Sequence, residues 1–218
     1  LDPVLKKEAL TETGFESMLE ERGIVLGRDL VIEHDTAQQL PGNPGDLFIV
    51  TDLATHRLVD TIRKRGGGLL VAVARSVDAA DGSDAEVLFR TSPEAVAETD
   101  LARAVNPDAK RDPTSARAVP LGVAWEYTAP LGDDLKPVPS DGPTPGHLVV
   151  VGDSDWLSPE LLDNPQLSNI DLLSSTAGWL TQREAMINIA PRTTKAQAVI
   201  MSDADLQKEK MKVDISAL

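Results

Sequence analysis

The stretch from Gly146 to Leu162, GHLVVVGDSDWLSPELL, decides which fold this sequence predicts. Its run of mostly β-branched apolar residues is typical of a buried strand. The run ends at Gly152, and the polar residues Asp153, Ser154 and Asp155 follow at once. The residues after them have the composition of a short helix. A strand that passes directly into a helix is typical of α/β folds, whose strand ends are where ligands bind.

Segments that predict strands alternate with segments that predict helices along the rest of the chain. The continuous apolar run at 69–74 suits a strand covered on both faces, as in parallel sheets. Strand, helix and strand between 147 and 191 form a βαβ unit, which also builds a parallel sheet. The predicted strands are 29–34, 46–50, 69–74, 85–92, 118–129, 147–151 and 185–191, and the predicted helices are 53–68, 92–100, 154–162 and 168–184.

The helix predicted at 168–184 carries its own signals. Ser168 precedes it and Asp171 follows three residues later, which predicts a capping box. Apolar residues at three- and four-residue spacing predict a buried stripe, with Trp179 on or beside it. The members of that stripe are Ile170, Leu173, Ala177 and Leu180.

Length and composition predict one domain and limit its partners. The 218 residues suffice for a single core, which we place at residues 1–200, with 201–218 as a tail or helix. Residues 130–146 contain five prolines and predict a surface excursion. A net charge of −14 argues against binding to nucleic acid or to an anionic membrane surface. The chain has no cysteine and therefore no thiol chemistry.

Three interpretations of Asp153, Ser154 and Asp155 remain open at this stage. GDS after a strand resembles the opening block of GDSL-type hydrolases, but every histidine lies upstream of Ser154, where that family has its base downstream. Two aspartates at alternate positions are able to hold Mg²⁺ together with substrate phosphates. Acidic and hydroxyl side chains also cap helices. Capping is favoured, and a metal-dependent enzyme acting on glycans or sugar nucleotides through Asp153 and Asp155 is the alternative.

The order of several scattered motifs resembles the auxiliary component of gliding-motility-type ABC transporters, the GldG-like proteins. The segment GFESMLEERGIVLGRDLVIEHD, starting at Gly14, is similar to an early segment of that family. Further positions that match are the strand end at Val149–Leu157, Asn169, Asp171, Trp179 with Leu180, Ile187–Pro191, His56, Arg75 with Ser76, and the residues LFRTSPEA.

This resemblance implies a Rossmann-like, glutamine-amidotransferase-like domain without catalytic residues, metal or cofactor. It implies a bacterial, extracytoplasmic (periplasmic) location at the inner membrane, with anchoring segments outside this chain and the first part of the domain missing. The implied partners are ABC permease and ATPase subunits or envelope proteins. A second copy of the chain is a further expected partner, because a missing first half would leave a sheet edge or an apolar face uncovered. The residues expected to contact a ligand or partner are Asp153, Ser154, Asp155, His56 and Asn169.

Overall fold

Strand pairing in the computed structural model is antiparallel throughout the described residues, which are 5–6, 9–10, 12–43, 45–104, 113–127 and 146–181. The strands are β1 (Leu5–Lys6), β2 (Ala9–Leu10), β3 (Ile24–Leu26), β4 (Leu30–Ile32), β5 (Leu47–Val50), β6 (Asp52–Leu53), β7 (Leu69–Ala72), β8 (Val77–Ala79), β9 (Ala85–Arg90), β10 (Val96–Glu98), β11 (Pro120–Tyr127) and β12 (Gly146–Val151). The helices are α1 (Glu16–Glu20), α2 (Asp60–Lys64), α3 (Leu101–Ala104), α4 (Pro159–Leu162) and α5 (Asn169–Leu180), with 3₁₀ turns at Pro113–Ser115 and Asp155–Leu157.

The largest sheet has four strands in the order β12-β11-β9-β6, and the other pairs are β5 with β7, β3 with β8, β4 with β10 and β1 with β2. The predicted mostly parallel, Rossmann-like sheet is therefore wrong. Continuous apolar runs indicate that both faces of a strand are covered, but they do not specify the direction of the neighbouring strand. Here the two faces are covered in an antiparallel sheet.

Two hydrophobic cores lie on opposite faces of the four-stranded sheet. Strand β12 contributes to both, because its successive side chains point to opposite faces. Val151 is buried in the larger core and Val150 in the smaller one, while Val149 and Leu148 pack against the larger and the smaller core respectively. The apolar run that suggested a parallel sheet is thus explained by a core on each side.

The glycine in β11 allows close packing at an irregularity in the sheet. The register between β9 and β11 shifts on both sides of Gly122. A Cβ atom at Gly122 would lie 2.4 Å from the ring of Phe89, which is too close for any side chain. The alternate side chains of β11 change face across this irregularity. Leu121, before Gly122, belongs to the larger core, whereas Val123 and Trp125, after it, belong to the smaller one.

Helix α5 buries a different face from the one its apolar spacing predicts. Trp179 is buried at 2% exposure, as predicted, but Ile170 and Leu180 are 43% and 45% exposed. The buried face instead includes several small or polar residues, of which Asn169 is hydrogen-bonded to the backbone of Leu70 and Trp156. Its buried residues are Asn169, Leu172, Ser175, Thr176, Gly178 and Trp179.

Two local predictions also differ from the structure. The predicted capping box is wrong, because the Ser168 side chain makes no capping hydrogen bond and Asp171 pairs with Arg65 at 2.7 Å. The helix predicted at 92–100 contains strand β10 instead, since that segment pairs with β4. The hydroxyl and the backbone amide of Ser92 donate to the two carboxylate oxygens of Glu33, at 2.6 and 3.0 Å, and hold the start of this segment.

The chain divides into two compact units, Leu1–Ile187 and Asn188–Leu218. The predicted strand at 185–191, the tail at 201–218 and all of the excursion at 130–146 except Gly146 lie outside the described residues. None of the helices within the described ranges has the length and apolar character needed to span a bilayer.

Candidate functional site

The segment that follows β12 holds the outer edge of β7. Strand β7 pairs with β5 on one side only. On its other side, the amide of Leu70 donates to Oδ1 of Asn169 at 3.0 Å, and Nδ2 of Asn169 donates to the carbonyl of Leu70 at 3.0 Å. The amide of Ala72 donates to Oδ2 of Asp153 at 2.9 Å, and the amide of Ser168 donates to the carbonyl of Gly68 at 2.9 Å. Side chains and loop backbone thus take the place of a neighbouring strand.

Asp153 and Asn169, two of the predicted contact residues, are therefore built into the fold. Asp153 is 1% exposed and Asn169 is fully buried. The second oxygen of Asp153 accepts the amide of Asp155 at 2.6 Å, where the 3₁₀ turn begins. Nδ2 of Asn169 also donates to the carbonyl of Trp156 at 3.2 Å. These contacts give both side chains a structural role, whereas neither the 3₁₀ turn nor α4 has a side-chain cap from its N-cap residue.

Gly152 lets the chain turn closely past the neighbouring backbone. A Cβ atom there would lie 1.9 Å from the carbonyl oxygen of Arg75. The carbonyl of Gly152 accepts the amide of Arg75 at 2.9 Å, and its own amide donates to the carbonyl of Leu121 at 2.9 Å. The strand thus ends at a glycine because no side chain fits at this crossing.

Ser154 and Asp155 lie at the surface beside an apolar groove of about 350 Å³. The groove runs between α1, β12 and α5, and exposed apolar side chains border it, namely Phe15 at 51%, Leu157 at 42% and Leu180 at 45%. Its lining residues are Phe15, Met18, Leu19, Leu148, Val149, Val150, Val151, Asp153, Ser154, Trp156, Leu157, Thr176 and Leu180. We refer to these residues as the apolar groove.

His56 lies elsewhere, in a second cavity of about 390 Å³. The lining residues of this cavity are His56, Ser83, Asp84, Glu86, Ala124, Glu126 and Trp179, and we refer to them as the polar pocket. The structure therefore divides the predicted site residues between two places. Asp153 and Ser154 line the apolar groove, His56 lines the polar pocket, and Asn169 lines neither.

Charged and aromatic side chains surround Trp179 at the polar pocket. The His147 ring meets the indole edge-on with centroids 4.6 Å apart, and the His56 ring does so at 6.0 Å. The guanidinium carbon of Arg57 lies 5.4 Å from the indole centroid, and Arg57 also pairs with Glu126. Glu126 in turn contacts Nε2 of His147 at 3.2 Å.

The polar pocket shifts the pKa of two of its groups. Burial lowers the pKa of His56 below its ordinary value of 6.5, although Glu86 and Glu126 oppose the shift. Burial is the largest single influence and works to raise the pKa of Glu126, but the hydrogen bonds and charges of Arg57 and His147 together outweigh it, and the pKa is lowered. Nδ1 of His56 accepts the amide of Leu58 at 3.2 Å, so in the neutral ring the proton is on Nε2.

Sequence reasoning did not find the cluster around Trp179. Glu126 and His147 face each other because β11 and β12 are antiparallel neighbours with these residues in register. The sequence predicted both strands, but it did not predict that they pair. Without the pairing, nothing in the sequence places Glu126 beside His147. Among the described residues, no group of three or more histidine and acidic side chains is arranged to hold a metal ion.

Comparison with known proteins leaves the family of the chain open. No protein-family model matches it, and no curated protein is significantly similar to it. A solved structure described as "mmIFT52 N-terminal domain" is similar to this chain with 16% sequence identity and a TM-score of 0.49. The alignment covers 77% of this chain and 57% of that structure, so this chain spans little more than half of it.

Proposed function

We propose that this chain is a non-catalytic binding domain that holds an apolar segment of a protein partner in the apolar groove. The observation that supports this function is the exposure of Phe15, Leu157 and Leu180 around one concave apolar surface. Scattered exposed apolar residues are common on protein surfaces, whereas several gathered at one groove mark an interaction site.

Charge at the rim favours a partner with basic residues. Asp155 is exposed between Ser154 and Trp156, both of which line the groove. An acidic rim attracts Lys and Arg and repels anionic lipid headgroups. The partner segment therefore combines an apolar anchor with flanking positive charge.

The resemblance to GldG-like proteins supports a specific setting for this binding. In that setting the chain is an auxiliary component of an ABC-type transport system on the periplasmic face of a bacterial inner membrane, and the partner is its permease or another envelope protein. An ABC cassette encoded beside the gene is expected. A gene neighbourhood without one would contradict the transport setting while leaving the groove proposal in place.

Site-specific photo-crosslinking tests the groove. A p-benzoylphenylalanine placed at Leu157 in cells is expected to crosslink to the ABC permease encoded alongside the chain. The matched control is the same residue placed at Val25, which is 46% exposed on β3 and does not line the groove. Equal crosslinking from both positions would overturn the groove as the binding site.

A thermal-shift series with Mg²⁺, Mn²⁺ and Ca²⁺ tests whether the domain is non-catalytic. Ligands that bind the folded state raise the melting temperature. We expect no rise that depends on Asp155. A rise that is lost in Asp155→Asn would favour the metal-dependent enzyme and overturn this proposal.

A further inference from the structure

The apolar groove runs along the outer edge of strand β12. Four consecutive residues of this strand, from Leu148 to Val151, line the groove. Successive side chains of a strand point to opposite faces, so a groove that contacts all four follows the edge of the strand and does not lie over one face. Strand β12 is also the last strand of its sheet, since β11 alone pairs with it among the described strands.

Backbone groups of β12 are directed into the groove from this edge. The amide of Gly152 donates to the carbonyl of Leu121, which lies opposite it, and hydrogen-bonded positions alternate along an antiparallel pair. Val150 therefore bonds to β11, whereas the amides and carbonyls of His147 and Val149 point to the other side. Within the described ranges, nothing hydrogen-bonds to these groups on that side. The edge therefore offers donors and acceptors to an added strand.

Apolar side chains form both walls beside this edge. Met18 packs against the smaller core on one face of the sheet, Trp156 belongs to the larger core on the other, and both line the groove. A strand placed between the walls is covered on both faces, which is the setting of a continuous apolar run. An α-helix is about 10–12 Å wide and satisfies its own backbone groups, so it would leave the edge of β12 unpaired.

We propose that the partner adds an extended apolar segment to β12 as a further strand of the sheet. This inference rests on the proposed function, and it specifies the conformation and chemistry of the segment that the groove holds. Main-chain hydrogen bonds to His147 and Val149 supply affinity, and the apolar walls select a run of Val, Ile or similar residues. A Lys or Arg belongs at the end beside Asp155, because that carboxylate is exposed and no basic residue is among the described residues that line the groove.

Backbone-methylated peptides test the added strand on the complete 218-residue chain. The probe is acetyl-KKVIVTV-amide, carrying a fluorescent label for anisotropy. A second peptide has N-methyl groups on alternate residues of VIVTV and keeps one hydrogen-bonding edge, and a third has them on all five residues and keeps none. The second peptide is expected to bind like the first. The third, with the same side chains, is expected to bind about 10-fold more weakly, which corresponds to the loss of two net hydrogen bonds.

Variants of Val149 locate the contact. Proline is tolerated at an edge position whose amide faces outward, so Val149→Pro removes one donor to the added strand and leaves the pairing with β11. Val149→Ala is the matched control, because it shortens the same side chain and keeps the amide. Val149→Pro is expected to bind the probe about 2- to 10-fold more weakly than Val149→Ala, as for one hydrogen bond. In the unsubstituted chain, the probe is expected to slow hydrogen exchange of the Val149 amide.

Three results would overturn the proposal. Equal binding of all three peptides would exclude an added strand and leave the apolar groove as a site for side chains alone. A probe that does not bind would also exclude it, and crosslinking from Leu157 would then decide the proposed function independently. A Val149 amide that is already protected in the chain without the probe would show that the chain itself or a second copy occupies the edge.

Discussion

Replacing Asn169 by Ala tests whether side chains hold the free edge of β7. The substitution leaves the buried amide of Leu70 without its acceptor, at a cost of about 1–3 kcal/mol. It also removes the donor to the carbonyls of Leu70 and Trp156, each a loss of about 0.5–1.5 kcal/mol. Together the expected loss is about 4 kcal/mol. At about 2–4 °C per kcal/mol for a domain of this size, the melting temperature falls by roughly 8–16 °C.

Urea unfolding followed by tryptophan fluorescence measures this loss. The slope of the unfolding free energy with urea is expected to stay constant, so that the midpoint alone reports the change. Asn164→Ala is the control, because within the described residues Oδ1 of Asn164 accepts one bond, from the exposed amide of Gln166, and its expected cost is below about 1 kcal/mol. An Asn169→Ala loss as small as that of the control would refute the structural role of Asn169.

Three further perturbations follow from the same structure. Trp179→Ala is expected to destabilise the domain by about 3–5 kcal/mol in urea unfolding, as for a large buried aromatic, and a loss below about 1 kcal/mol would contradict its burial. Val73→Gly is expected to raise the melting temperature. Val73 has a φ of 47°, and this left-handed conformation costs a β-branched residue about 1–2 kcal/mol. A lower melting temperature would count against that strain. The pKa of His56 is lower in the folded state, so the unfolded state binds more protons as the pH falls below 6.5. The contribution of His56 to the free energy of unfolding is therefore fully present above pH 6.5 and is lost as the pH falls through the folded pKa. His56→Gln is expected to flatten the dependence of the urea midpoint on pH in this range.

The positions of the main strands could be predicted from the sequence, but their directions could not. Apolar runs correctly marked β5, β7 and β12, because burial on both faces leaves no alternation in the sequence. The direction of a strand depends on its partner, and no local signal states which segments pair. The antiparallel register that sets Glu126 opposite His147 was missed for that reason.

The burial of α5 could be predicted only in part, for a related reason. Trp179 is large and apolar, and it is buried as predicted. The apolar spacing around Ile170 and Leu180 predicted the wrong face, because burial of Asn169 depends on backbone groups of β7 that are 99 residues away in the sequence. Long-range hydrogen bonds of this kind leave no periodic pattern.

The side-chain hydrogen bonds along the edge of β7 also protect the chain against aggregation. Strand edges with unpaired amides and carbonyls act as templates for another chain, and apolar segments of low charge such as LLVAVA at 69–74 are the ones that convert most readily to cross-β assemblies. By occupying the hydrogen-bonding groups of Leu70 and Ala72, Asn169 and Asp153 act as gatekeepers for this segment. Loss of either would expose a template for intermolecular assembly as well as weaken the fold.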